Sequence, residues 1–319
     1  MRILLWLCII ALSLVALAAL WMTVQYRRYR KFVPSPPYKQ PAQHPDLSVL
    51  PDDSLSVCWI GHSTLYIRWN GVGILTDPVF SERVGVNIGP WAIGPRRHTA
   101  PAVRIEEVMG QVDLILLSHA HMDHFDIPSL RKLASPDVEV VTAPATSRLI
   151  RRMRFGRVSE LGGTNSVETS CGVKVTSVPV RHWGARFPWN QQYGWTGFLL
   201  EYQGKRLFYA GDTAYVPTFT ALRERGQIDV VCMPIGAYAP DSFQQSHCTP
   251  EQAWSMFVDA GGRFLVPIHW DTFVLSQEPV DEPMKRLLAA AGDDADKIVI
   301  RSHGEVFTLK TADETLAQS

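Results

Sequence analysis

Two kinds of apolar patterning divide the chain. Ile3 to Val24 is an unbroken 22-residue run without a charge, built of Leu, Ile, Val and Ala with Trp6 and Trp21. About 20 apolar residues suffice to cross a bilayer as a helix. Tyr26-Arg-Arg-Tyr-Arg-Lys31 follows, the aromatic and basic flank expected at a membrane interface. A cleaved signal peptide is the rival, with Ala16-Leu-Ala18 as its cleavage triplet. The run is long for a signal, however, and the basic cluster behind it resists translocation. Residues 1–31 are therefore expected to form one N-terminal transmembrane helix with its flank. The four basic residues after the span outweigh Arg2 and the amino terminus, which puts the rest of the chain on the cytoplasmic side. Residues 32–53 hold Pro34, Pro36, Pro37, Pro41, Pro45 and Pro51 without apolar periodicity, and read as an extended linker.

From Ser54 onward the pattern becomes short strands alternating with helices. Ser56–Ile60, Thr64–Trp69 and Val72–Leu75 read as strands, the last two joined by the hairpin turn Asn70-Gly71. Gly85–Pro101 is a long loop rich in Gly and Pro, and Arg104–Met109 a short helix. Leu114–Leu117 is a four-residue apolar run, the mark of a strand buried on both faces. Helices are expected at Ile127–Leu133 and Ala145–Phe155, and a strand at Val138–Thr142. Further strands are expected at Val173–Val180, Phe198–Tyr202, Arg206–Ala210, Asp229–Met233 and Arg263–Ile268. Pro250–Ala260 is a helix capped by Thr249, and Pro283–Ala291 another; Lys297–Arg301 and Glu305–Leu309 read as closing strands. No internal repeat is present. The order suits two sheets packed inside outer helices, an α/β fold in one domain over residues 54–319.

The chemistry sits directly behind the Leu114–Leu117 strand. His119, His121, Asp123, His124 and Asp126 fall within eight residues, ahead of a helix that Asp126 caps and Pro128 opens. Strand carboxyl ends are where open α/β sheets carry their sites. In an extended loop His119 and His121 share one side and can grip one ion, Asp123 continues the row, and His124 can reach a second ion close by. Imidazole with carboxylate suits zinc best, with manganese or iron as alternatives. His182, Asp212 and His269 each stand just past another expected strand, and together with the first loop they make a dinuclear centre the expected outcome. His62, in the first hairpin, reads as a hydrogen-bonded structural residue instead of a ligand.

The sequence His119-x-His121-x-Asp123-His124 resembles the signature of the metallo-β-lactamase fold superfamily. The stretches Trp59-Ile-Gly-His62-Ser-Thr, Ile74-Leu-Thr-Asp77-Pro-Val-Phe-Ser, Gly211-Asp212-Thr213, Pro234-Ile-Gly-Ala-Tyr238, His247-x-x-Pro250-Glu251 and Ile268-His269-Trp270 look most like its N-acylphosphatidylethanolamine phospholipase D branch and bacterial relatives. The resemblance runs from about Leu55 to Leu309. It implies a four-layer αββα sandwich. It also implies that His119, His121 and His182 hold one zinc, that Asp123, His124 and His269 hold the other, and that Asp212 bridges both. Two zinc ions would make hydroxide available near neutral pH from a bridging water. Asp123 could orient that nucleophile or shuttle its proton. His247, outside the family's ligand set, matches a histidine that touches substrate or leaving group, with a supporting structural role as the alternative.

Charge narrows the range of partners. The chain carries 31 basic and 31 acidic residues, but Arg2, Arg27, Arg28, Arg30 and Lys31 precede the globular part. Without those five, 26 basic stand against 31 acidic residues, a net-acidic domain and a poor nucleic-acid binder. The five cysteines, Cys8, Cys58, Cys171, Cys232 and Cys248, show no close pairing and read as free thiols. Arg148, Arg151, Arg152 and Arg154 read as a solvated face, with a phosphate or anionic-lipid contact as the sharper alternative. The expected partners are thus the bilayer and a membrane lipid, with a homodimer left open. His182-Trp-Gly-Ala-Arg-Phe187-Pro-Trp189 could line an apolar path for acyl chains, or simply pack on the sheet. Hydrolysis of an N-acylphosphatidylethanolamine is the reaction implied. A zinc hydrolase acting on a small soluble ester, lactone or cyclic phosphodiester is the alternative; a β-lactamase and a metal-binding scaffold without turnover are weaker ones.

Overall fold

The structure is a computed structural model that describes residues 2–88, 91–187 and 189–309. Gly89 and Pro90 of the expected long loop, Pro188 of the aromatic stretch and residues 310–319 lie outside the described residues. The chain forms two compact units, Met1–Ser35 and Pro36–Ser319.

In the first unit, helix α1 (Arg2–Arg30) has within it the apolar segment Leu5–Gln25, 21 residues long with none of its side chains buried. At 1.5 Å per residue the segment is about 31 Å long, which matches the hydrocarbon thickness of a bilayer.

The second unit is a sandwich of two mixed sheets. The first sheet draws on β1 (Leu55–Gly61), β2 (Thr64–Trp69), β3 (Val72–Thr76) and, past the small ribbon of β4 (Val86–Ile88) and β5 (Trp91–Ile93) and the short helix α2 (Ile105–Val108), on β6 (Leu114–Leu117). Helix α3 (Ile127–Leu133) leads to β7 (Glu139–Thr142) and β8 (Val158–Glu160). The second sheet follows with β9 (Ser166–Glu168), β10 (Lys174–Val178), β11 (Gly197–Tyr202) and β12 (Lys205–Tyr209). After α4 (Thr220–Arg223) come β13 (Ile228–Pro234), α5 (Pro250–Asp259), β14 (Gly262–Ile268) and α6 (Glu282–Ala291), and β15 (Val306–Leu309) returns to the first sheet. The sheet orders are β15-β1-β2-β3-β6-β7-β8 and β14-β13-β12-β11-β10-β9.

Strand alternation builds the layers. Leu114 and Leu116 of β6 join the core between the sheets, while Ile115 and Leu117 face Ile105, Val108, Leu130 and Leu133 of α2 and α3. On the other side Met256 and Phe257 of α5 and Leu287 of α6 cover the second sheet. The order is helix, sheet, sheet, helix. In β6 both faces are buried and both neighbours, β3 and β7, run parallel, which explains a run with no polar residue. Helix α5 starts as its sequence dictates: the Thr249 hydroxyl accepts from Gln252 N, the Gln252 side chain accepts from Thr249 N, and Pro250 occupies the first turn.

Four segments differ from expectation, the first being the Gly85–Pro101 loop, which carries the paired strands β4 and β5. Ala145–Phe155 is not a helix but one 3₁₀ turn, Ser147–Leu149, continued by turns. Gly156 N bonds Val138 O, which draws the chain straight back to β7 and β8. Lys297–Arg301 is not a strand. Only Ile298 bridges Leu265, because the Glu305 carboxylate accepts from Arg301 N and Ser302 N, and the Arg301 guanidinium takes Ala295 O and Ile298 O. The proline-rich stretch leaves the linker role at Pro36: Lys39 and Gln43 bond backbone groups of His98 and His303, and Leu47 is buried beneath α2 and α3.

Candidate metal centre

All but one of the side chains of the centre stand on a loop beyond a strand. His119 to His124 follow β6, His182 follows β10, Asp212 follows β12 and His269 follows β14, while His247 precedes α5. Gly211 has φ +61°, and a Cβ there would lie 2.6 Å from Ser118 Cβ, so only glycine lets the β12 and β6 loops touch. Arg186 ties a third loop down by donating to Ala120 O (3.0 Å) and Phe125 O (2.8 Å). The aspartate cap expected of α3 is present, Asp126 accepting from Ser129 N.

The folded chain brings all eight sequence-identified residues together. His121 Nδ1 lies 2.9 Å from His119 Nε2 and 3.2 Å from His182 Nε2. Asp212 Oδ2 stands 3.1 Å from both His124 Nε2 and His269 Nε2, 3.9 Å from His119 Nε2 and 3.8 Å from His182 Nε2. Asp123 Oδ2 lies 3.6 Å from His124 Nε2 and 3.5 Å from His269 Nε2. His247 Nδ1 approaches Asp212 Oδ2 to 3.8 Å.

These nitrogens cannot satisfy one another. His119 Nδ1 bonds Ser118 Oγ, whose own proton goes to Asp77, and His182 Nδ1 donates to Ser246 O, so both Nε2 atoms are acceptors in the neutral rings. Two acceptors thus face His121 Nδ1, which has at most one proton to offer. Among the described residues, His124 Nε2, Asp212 Oδ1, His247 Nδ1 and both ring nitrogens of His269 are buried without a well-aligned hydrogen bond, although carboxylate oxygens stand near several of them. Two nitrogen ligands at zinc distance, set at a tetrahedral angle, are roughly 3.3 Å apart. A cation among these atoms would satisfy both groups at once.

The electrostatics agree. Burial holds the imidazoles of His119 and His182 below their ordinary range and lowers His121 to about 3. Burial acts likewise on His124 and His269 but is outweighed by Asp212 and Asp123, which raise His124 well above the histidine range and His269 to about 9. Three neutral imidazoles beside two carboxylates that demand positive charge form a donor set for a divalent cation.

Two residues support the centre in ways that the sequence did not assign. Asp77, just past β3, accepts from Ser118 N (2.7 Å), Ser118 Oγ (2.5 Å), Tyr209 OH (2.6 Å) and His124 Nδ1 (2.7 Å). It thereby leaves His124 Nε2 bare toward Asp212. His62 is hydrogen-bonded, as expected, but its partner lies in the centre: its Nε2 meets Asp123 Oδ2 at 2.9 Å. Next to His247, the buried Cys248 thiol donates to Pro234 O. At the rim the Trp183 ring lies 4.2 Å from His121, Trp189 stacks on Phe187 at 5.2 Å, and Trp183, Trp189 and Trp195 are exposed.

The family model described as β-lactamase superfamily domain matches residues 73–270. The chain is 33% identical over 244 residues to an uncharacterized protein of Mycobacterium tuberculosis, covering 74% of this chain and 64% of that one. It is 32% identical over 239 residues to the mitochondrial N-acyl-phosphatidylethanolamine-hydrolyzing phospholipase D of Saccharomyces cerevisiae, covering 72% of this chain and 50% of that one. The chain thus spans between half and two thirds of the length of these curated relatives. Among solved structures, a possible metal-dependent hydrolase from Veillonella parvula has the same fold, with a TM-score of 0.65, 16% identity, and coverage of 81% of this chain and 100% of that one.

Proposed function

The chain belongs to the β-lactamase superfamily, and on that premise we propose that it is a membrane-anchored dinuclear zinc hydrolase, a phosphodiesterase of phospholipase D type acting on N-acylphosphatidylethanolamine-like lipids. The observation that carries the metal reading is the position of Asp212 Oδ2, 3.1–3.9 Å from four imidazole nitrogens drawn from three loops. A carboxylate so placed can serve two ions, with His119, His121 and His182 holding one and Asp123, His124 and His269 the other. A bound zinc pair would supply Lewis acidity and the activation of water.

The chain's own residues do the rest. Asp123, oriented by His62, holds a proton acceptor at the edge of the centre. His247, with 15% of its side chain exposed, sits where a substrate oxygen could meet its imidazole. Burial lowers His247 to about 3, so it meets the substrate as a neutral ring. Trp183 against His121 and Trp195 paired with His119 give the rim an apolar surface suited to acyl chains, and exposed Trp189 lies on the same loop. The yeast relative's name supports the lipid substrate, the apolar segment of α1 supports a membrane anchor, and the basic residues that follow it support a domain on the cytoplasmic side.

The test is hydrolysis by detergent-purified protein of known metal content. A panel sets N-acylphosphatidylethanolamine beside bis(p-nitrophenyl) phosphate, a lactone and a cephalosporin. The expected result is about two zinc per chain with release of phosphatidic acid, both reduced in His121→Ala. Turnover of the small soluble esters alone would remove the lipid assignment and leave a metal hydrolase.

A further inference from the structure

The turns that replace the expected helix after β7 gather charge in an unexpected place. Arg148, Arg151, Arg152 and Arg154 come together with Arg131 of α3 around a surface cleft of ≈ 670 Å³. Buried Ile150 pins the segment to the core, and Leu149 and Met153 give the cleft an apolar floor. Among the described residues, no acidic side chain lines it.

Nearby acids are already engaged. Glu139 holds Arg157 at 2.6 Å, outside the cleft. Glu160 accepts from Ala145 N (2.9 Å) and Ser147 N (3.0 Å). Arg148 lies over the Tyr193 ring at 5.8 Å. Among the described residues, Arg131, Arg151, Arg152 and Arg154 form no ion pair. A helix C-terminus accounts for Arg131, whose charge suits the last turn of α3. It does not account for four more guanidiniums at one concavity of a net-acidic domain, where like charges repel without a counter-ion.

We propose that this cleft is a binding site for a phosphomonoester dianion. Guanidinium pairs grip phosphate oxygens in a bidentate fashion, which a ring of arginines offers and lysines would not. The volume takes a phosphate with a small organic group. A nucleic acid would need a basic track beyond the cleft, and the surrounding domain is acidic. The phosphomonoester is either soluble or the headgroup of a lipid such as phosphatidate. The inference does not rest on the reading of the metal centre, because no residue of the centre lines the cleft.

The test uses the full chain in phosphatidylcholine nanodiscs, titrated calorimetrically with inorganic phosphate and with glycerol 3-phosphate. Saturable binding is expected, weakened about tenfold or more in R151Q/R152Q and by raising salt from about 50 to 200 mM. Arg225→Gln, an exposed cation elsewhere, should leave it unchanged, as should His121→Ala at the metal centre. Phosphatidate doped into the discs separates the two sources. Competition with glycerol 3-phosphate marks a lipid headgroup, and its absence marks a soluble ligand; both uphold the site. The proposal is overturned by a lack of saturable binding, by binding indifferent to R151Q/R152Q, or by binding lost in His121→Ala.

Discussion

Replacing Asp77 with asparagine would test whether the centre depends on a residue that touches no ligand pocket directly. Asp77 is fully buried, and its Oδ2 accepts from Ser118 Oγ, Tyr209 OH and His124 Nδ1 while Oδ1 accepts from Ser118 N. In Asp77→Asn the amide oxygen keeps Ser118 N, because the reverse orientation would set N–H against N–H. The amide nitrogen then takes the place of Oδ2 and faces three donors. The two hydroxyls can rotate to accept, exchanging charged hydrogen bonds for neutral ones at about 1 kcal/mol each. The His124 ring has no such freedom. To accept at Nδ1 it must carry its proton on Nε2, the atom 3.1 Å from Asp212 and the candidate ligand. That bond is worth about 1.5–3 kcal/mol, so the metal-free protein should lose roughly 3–5 kcal/mol in all. Metal affinity should fall by about 10–100-fold, the usual effect of removing a partner that orients a ligand. Urea unfolding in chelator reads the first quantity, and zinc retained per chain after dialysis against graded competitor reads the second. A variant with wild-type midpoint and wild-type zinc retention would refute the argument that Asp77 sets the His124 tautomer.

Other outcomes follow from the same geometry. Burial lowers His62, His121, His247 and His303 to about 3, below the unfolded value near 6.5. The unfolded chain therefore binds more protons below pH 6.5, and metal-free stability should fall as pH drops from about 6.5 toward 3; a flat thermal-unfolding profile across that window would contradict this. Above pH 6.5 the sign reverses for His269, raised to about 9 mainly by Asp212 against burial: its share is full below 6.5 and fades toward pH 9, a fade that bound zinc should abolish in the same scan. Gly211→Ala combines a left-handed backbone with a Cβ 2.6 Å from Ser118 Cβ, and should cost roughly 2–4 kcal/mol in urea titrations; a loss well under 1 kcal/mol would mean that the β6 and β12 loops do not bear on each other.

The αββα order and the candidate metal residues were legible for one physical reason. Each candidate ligand stands behind a strand; a lone His or Asp there is common, but the cluster behind β6 together with three more strand ends offering His or Asp is not. The supporting residues carry no such mark. Asp77 sits in a single Thr-Asp-Pro just past a strand, and its partners come from the ends of β6 and β12. Only the meeting of three strands makes it a ligand-orienting group. The false helix at Ala145–Phe155 has a related origin. Its arginines are good helix formers, but Pro144 precedes it and the bond from Gly156 N to Val138 O returns the chain to the sheet before a second turn can form. Propensity lost to a tertiary contact that no local pattern announces.

His62 shows how closely fold and centre are joined. Its backbone oxygen accepts from His269 N at 3.0 Å and from Trp59 Nε1 at 2.8 Å, while its backbone nitrogen donates to Thr272 Oγ1 at 2.7 Å. Thr272 in turn meets His303 Nε2, whose ring stacks on Trp59 at 3.9 Å. Both His62 and His269 have positive φ, 54° and 63°, an unfavourable state for residues with a Cβ. Each strained corner is held by the other across that single backbone bond. The first hairpin of one sheet and the last parallel strand of the other are therefore locked together at the point where Asp123 and His269 converge. The two histidines persist in that conformation because the sandwich over-determines it. A site assembled from strand ends of both sheets gains its rigidity from the closure of the sandwich itself, and the candidate metal residues need no dedicated scaffold beyond it.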